Sequence, residues 1–141
     1  MKERTATLDA RVLDGTSRTI MLLGGIYDGL LGLVFLVAAG PILQALTVSA
    51  PDNPIYLQLA AGLIALMGLY QVMAWRDGVV SAAGLLMLIA FKAFYVLLAV
   101  LSLSRGTLPH MLFGVFAVAD LLFLLAFLSM MRTGGRLADP S

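Results

Sequence analysis

The sequence predicts an all-α protein, a bundle of four transmembrane helices in antiparallel, up-down order. Three observations carry this reading. Of 141 residues, 61% are hydrophobic and only 12% charged, with a mean hydropathy of +1.00, whereas soluble domains run nearer ~50% apolar and ~25% charged. Four apolar stretches reach the ~20 residues that a helix needs to cross a bilayer. The basic residues crowd one side of those stretches. The same composition narrows the chemistry. With no cysteine there is no disulfide, no thiolate metal site and no dithiol redox pair. The single histidine, His110, rules out a bis-histidine haem within one chain. A net charge of +1, with no basic stripe away from the membrane-flanking positions, gives no reason to expect a nucleic-acid partner.

Residues 1–19 form an N-terminal segment without a long apolar run. Leu8, Val12 and Leu13 make a short apolar face, so an interfacial helix is one expectation, with Arg4, Arg11 and Arg18 near lipid headgroups. An irregular tail is the other. The apolar core that follows is far longer than a signal-peptide core, and Pro41 follows Ala38-Ala39-Gly40, so cleavage is not expected.

The first span is expected over 20–46. Gly24, Gly25 and Gly32 share a helical face with Asp28, and Gly25-x-x-x-Gly29 matches the small-residue spacing that lets backbones approach in lipid. Asp28 is therefore placed on the packed side. Pro41 should kink or end the helix. In the loop to the next span, Asn53-Pro54 reads as a cap followed by a proline at the first helical position. The second span covers 55–75. Gln58, Ala61, Ala65, Gly68 and Gln71 form a small, weakly polar stripe for packing, and Tyr56 and Trp75 bracket the span as an aromatic belt would. Arg76-Asp77-Gly78 is a tight turn into the third span, 79–103, which ends at Ser104-Arg105-Gly106. Thr107 and Pro109 introduce the fourth span, 108–131, and Gly134-Gly135 ends regular structure in a 132–141 tail.

Lys2, Arg4, Arg11, Arg18, Arg76, Arg132 and Arg136 fall on one side of this layout and only Arg105 on the other. By the positive-inside rule both termini are expected in the cytoplasm, with the protein a multi-pass component of a bacterial inner membrane.

Three ionisable residues lie inside the spans: Asp28, Lys92 and Asp120. With a helical rise of ~1.5 Å per residue, they sit roughly 12, 20 and 17 Å from the same membrane face, so all three reach the middle of the bilayer. A charge at that depth is costly and usually faces the bundle interior with a partner. One lysine and two aspartates cannot all be ionised and balanced. The expected state pairs the Lys92 ammonium with one aspartate and leaves the other protonated or in contact with water. Tyr95, one turn beyond Lys92, and Tyr27 and Tyr70 are candidate donors to the carboxylates, and Gln71 is a further polar candidate. Two readings of this set stand side by side. In one it is a structural clasp fixing helix register. In the other it lines a polar pocket for a headgroup, a quinone-like ring or a proton.

His110, in the first turn of span four, reads as an interfacial or capping residue rather than a ligand. Phe113, Phe116, Phe123 and Phe127 lie on or beside the Asp120 face and read as packing, and the methionines as flexible filler. No phosphate loop, zinc motif or Ser-His-Asp set is present.

The glycine-rich first span with Tyr27-Asp28, the outer loop ending in proline, the tight hairpin, Phe91-Lys92 in span three and Ala119-Asp120-Leu121 in span four resemble the small four-helix bacterial membrane proteins of the DoxX-like and BphX-like group. The resemblance runs from Ile20 to Met131. It implies a four-helix bundle whose inward polar residues matter, and in some members a link to quinone-coupled oxidation or to redox partners. The leading functional expectation is an accessory, ligand-binding membrane protein rather than an enzyme, with a polar centre that takes a lipid-like or quinone-like molecule or a partner subunit. It carries no cofactor of its own unless a quinone is one. Alternatives are a small proton-coupled carrier acting as a homo-oligomer and a quinone-site subunit in a larger membrane complex.

Overall fold

In a computed structural model, residues 10–133 are described, and they form four long helices with a small two-stranded ribbon at one end. Strand β1 (Ala10–Val12) leads into helix α1 (Gly15–Ala45), followed by α2 (Ile55–Asp77), strand β2 (Val79–Ser81), α3 (Ala82–Ser104) and α4 (Met111–Thr133). All four helices are long and apolar enough to cross a membrane, and the protein is a multi-pass helical bundle. Its outer face agrees with that environment. Val37 is 85% exposed and Leu122 64%, and large aliphatic side chains cover every helix in a way that water would not tolerate.

Two features at the N-terminal side differ from expectation. No interfacial helix forms from Val12 and Leu13. Ala10–Val12 instead pairs antiparallel with Val79–Ser81, Arg11 opposite Val80, and Leu13 is buried, its N–H donating to the Gly78 carbonyl at 2.9 Å. The β-branched run Val79-Val80 favours an extended strand, so the third span loses its first residues to the ribbon and its helix begins at Ala82. The expected tight turn is present as Gly78, which ends α2 in the left-handed region at φ +70°. The parts of the N-terminal segment before Ala10, including Leu8 and Arg4, and the tail with Gly134-Gly135 lie outside the described residues.

Helix α1 starts five residues earlier than the apolar run, because Asp14 caps it by accepting from the Ser17 N–H at 2.7 Å, as N-cap carboxylates do. Pro41 does not end the helix. The distortion falls at Ala38 (φ −124°, ψ 21°), in the turn before the proline, where the ring removes a hydrogen bond and crowds the preceding carbonyls. Asn53 does act at the start of α2, its side chain accepting from the Ile55 N–H at 3.1 Å.

Helices α1 and α2 make the closest pair, and α3 packs on α4. The α1–α2 contact is nearly backbone to backbone. A Cβ on Gly32 would run into the Ala61 carbonyl and the Ala65 backbone, one on Gly68 into the backbone of Gly25 and Gly29. The small-residue stripes read on the two spans therefore face each other, as glycine-rich interfaces in lipid do. Gln58, at one end of the α2 stripe, is exposed. The core lies toward the ribbon, where Leu13, Met21, Ala74, Val80, Leu85, Leu88, Ile89, Phe127 and Met130 form one buried cluster.

Candidate functional site

Helices α1, α3 and α4 bring Asp28, Lys92 and Asp120 together in the middle of the bundle. The Lys92 Nζ donates to Asp28 Oδ1 at 2.5 Å and to Asp120 Oδ1 at 2.7 Å. All three side chains are buried, Lys92 completely. Helix α2 adds Gln71, whose Nε2 donates to Asp28 Oδ2 at 2.6 Å. Each of the four helices thus supplies one member of a single hydrogen-bonded set. Lys92 extends from α3 under the rings of Tyr27 and Phe123, with Nζ 5.0 and 5.6 Å from their centroids, close enough for cation–π attraction. The ammonium has three donors; two go to carboxylates and the aromatic faces shield the rest.

The two aspartates are not equivalent. Both oxygens of Asp28 receive a hydrogen bond, one from Lys92 and one from Gln71. Asp120 uses only Oδ1, on Lys92, and among the described residues nothing donates to its other oxygen. Gly24 makes room for this arrangement. A Cβ there would collide with the Gln71 Oε1, so glycine lets the amide lie against α1. That Oε1 and the Tyr27 hydroxyl are buried and have no hydrogen-bond partner among the described residues.

Asp28 and Asp120 also form the floor of a cavity of about 130 Å³ on the side away from the ribbon. Its walls are Leu31 and Phe35 of α1, Leu57, Ala60, Ala61 and Ile64 of α2, and the aromatic residues of α3 and α4. An empty cavity of ~150 Å³ with apolar walls is large enough to take benzene, so this one has room for a single ring. Phe35 and Phe113 both meet Phe116 edge to face, with centroids 6.4 and 6.3 Å apart.

Of the residues selected from sequence, Asp28, Lys92, Asp120 and Gln71 form the set itself. Tyr27 is adjacent, but it offers its ring to Lys92 rather than a hydroxyl to a carboxylate. Tyr95 lines the cavity, and its hydroxyl donates to the Phe113 carbonyl at 3.2 Å. It ties α3 to α4 and leaves the carboxylates to others. Tyr70 stands apart, its hydroxyl resting over Gly84 where α2 meets α3. His110 caps α4, Nδ1 accepting from the Leu112 N–H at 3.1 Å. Phe123 and Phe127 pack as expected, whereas Phe113 and Phe116 line the cavity.

Two arginines assigned from sequence to headgroups do something else. Arg11 donates to the carbonyls of Met130 and Met131 at 3.4 and 2.7 Å, and Arg18 to that of Trp75 at 3.2 and 3.1 Å. Each places its cation on the carbonyl end of a helix, where orphan acceptors and the helix dipole favour it. With the ribbon they fasten that end of the bundle. Among the described residues no group of three His, Cys, Asp or Glu side chains could hold a metal ion. No family model, no curated protein and no solved structure matches this chain.

Proposed function

We propose that this membrane protein is a small ligand-binding component of a bacterial inner membrane, both termini cytoplasmic, whose pocket takes a lipid-like or quinone-like molecule. The carrying observation is the juxtaposition of the ring-sized cavity with a carboxylate whose second oxygen has no partner among the described residues. A clasp built only for register needs neither. Both oxygens of Asp28 are already engaged, by Lys92 and Gln71, and a wall of packed leucine in place of the cavity would bury more surface. Buried polar groups left incompletely bonded are costly, and their persistence beside open space points to a partner from outside the chain. The basic residues near the ribbon, against the single Arg105 at the far end, support the orientation. The arrangement of Tyr27-Asp28, Lys92 and Asp120 supports placement in the DoxX-like group.

A thermal-shift titration of the detergent-purified protein tests the reading. A neutral single-ring ligand such as 2,6-dimethyl-1,4-benzoquinone is expected to raise the unfolding midpoint, since a ligand held only by the folded state stabilises it by mass action. Ala60→Phe, which fills the cavity from an exposed position on α2, is expected to remove that shift without unfolding the protein. Failure of every ring or lipid ligand to move the midpoint, together with no bound molecule in solvent extracts of the protein, overturns it.

A further inference from the structure

Resting on that pocket, we infer that its ligand is a lipophilic monocation, an amine or quaternary ammonium with a ring-sized apolar body. The set holds one ammonium and two carboxylates. Lys92 balances Asp28, whose oxygens are both occupied, and Asp120 is the surplus negative group. It is more than nine-tenths buried, it lines the cavity, and one of its oxygens is engaged by nothing among the described residues. With both carboxylates ionised the set carries a net negative charge away from water, which is expensive, and a cation in the adjoining cavity would offset it.

The walls select the kind of cation. Four of the chain's seven phenylalanines and two of its four tyrosines line this one space. For a purely aliphatic lipid tail, leucine and isoleucine would serve as well. Aromatic faces add an attraction that only a cation draws on. The space beside Asp120 accommodates one ring, which favours a monocation with a body of about that size. A metal ion does not suit the site, which offers one free carboxylate oxygen among hydrocarbon. A strongly hydrated inorganic cation would lose its water shell there for little return.

A proton on Asp120 gives the same charge balance, so the cation and a proton compete. The ionisable groups facing Asp120 are Tyr27 and Asp28 from α1 and Lys92 and Tyr95 from α3. Among the described residues helix α2 contributes no ionisable group there, and the Gln71 amide rests on Asp28. Affinity for the cation is therefore expected to weaken as pH falls.

Calorimetric titration of the full chain in detergent, with benzyltrimethylammonium and its uncharged carbon isostere neopentylbenzene, separates the possibilities. The expected result is at least tenfold tighter binding of the cation. Asp120→Asn should reduce cation affinity tenfold or more while leaving the isostere unchanged, and Phe116→Leu should reduce it by a smaller factor. Equal binding of the two probes, or cation binding indifferent to Asp120→Asn, overturns the inference and leaves the pocket standing. Binding of neither probe removes the pocket as well. If Asp120→Asn fails to fold, the probe comparison and Phe116→Leu in the otherwise native protein still decide.

Discussion

The two ends of this bundle are built differently, although the same four helices run through both. At the ribbon end the interior is filled by Met21, Leu85, Leu88 and Phe127, all fully buried, and the helix termini are individually satisfied. Asp14 caps α1, Ser81 caps α3 by accepting from the Gly84 N–H at 3.0 Å, and Arg11 and Arg18 hold the last carbonyls of α4 and α2. Beyond the charged set, Leu43, Ala61 and Ala99 are the buried apolar residues among those described, and the space between the helices is the aromatic cavity. There α1 ends in a turn in which the Thr47 and Val48 N–H groups donate to Gln44 and Leu43, and α3 ends in the same geometry at Gly106 and Thr107. The difference teaches that rigidity and accessibility are divided along the helix axes. One end anchors, the other receives, and Asp28, Lys92 and Asp120 lie on the boundary.

The severest challenge to that division is Lys92→Met alone. It leaves two carboxylates facing each other in a buried site, and breaking a buried ionic set typically costs about 3–5 kcal/mol. Thermal unfolding in detergent should show a large fall in midpoint. The triple change Lys92→Met, Asp28→Asn, Asp120→Asn should restore it, because the apolar and amide replacements leave no orphan charge. A well-tolerated single change would mean the set does not hold the bundle together.

Paired truncations probe packing on either side of the boundary. Phe127→Ala, at the filled end, is expected to cost ~3–5 kcal/mol, as deletion of a buried aromatic side chain does. Phe113→Ala should cost less than half as much, since its ring already borders open space. Equal costs would erase the distinction between a packed and a receiving end.

Smaller effects sharpen the account of the ribbon. Arg11→Ala removes the bonds to the α4 carbonyls and should cost about 1–3 kcal/mol. Hydrogen exchange should speed up over the last turn of α4 and in the ribbon, with the amides near Lys92 unchanged. The smallest expected effect is that of Asp14. Its cap bond to the Ser17 N–H holds the carboxyl below its usual value of 3.8. A group with a depressed folded pKa stabilises above its unfolded value and loses that contribution as pH falls through the folded one. The cap should therefore weaken only on acidification below that ordinary value, and Asp14→Asn should abolish this pH dependence while keeping the cap.

Most of the fold was legible because a bilayer filters residues by composition. Four apolar runs, the glycine face around Asp28 and the matching stripe on the second span all follow from hydropathy and helical period, and they meet as expected. The ribbon was not legible in the same way. Ala10–Val12 and Val79–Ser81 are three residues each, too short for a period, and Val79-Val80 merges into an apolar run that reads as helix. The tyrosines show a second limit. Tyr95 was placed on the correct face by its spacing from Lys92, yet a rotation of the hydroxyl toward Phe113 decides what it bonds.

By itself the amino-acid sequence determined that the chain spans a membrane four times and that one lysine and two aspartates share a depth within it. Depth and facing depend only on counting residues along a helix of known rise and period. The tertiary structure decided that Asp28 is closed off by Lys92 and Gln71, that one oxygen of Asp120 is engaged by nothing among the described residues, and that a ring-sized space lies beside it. Those outcomes turn on how closely helices approach and rotate against one another. Gly24, Gly32 and Gly68 permit that approach, but only the packed helices fix it to the fraction of an ångström a hydrogen bond requires.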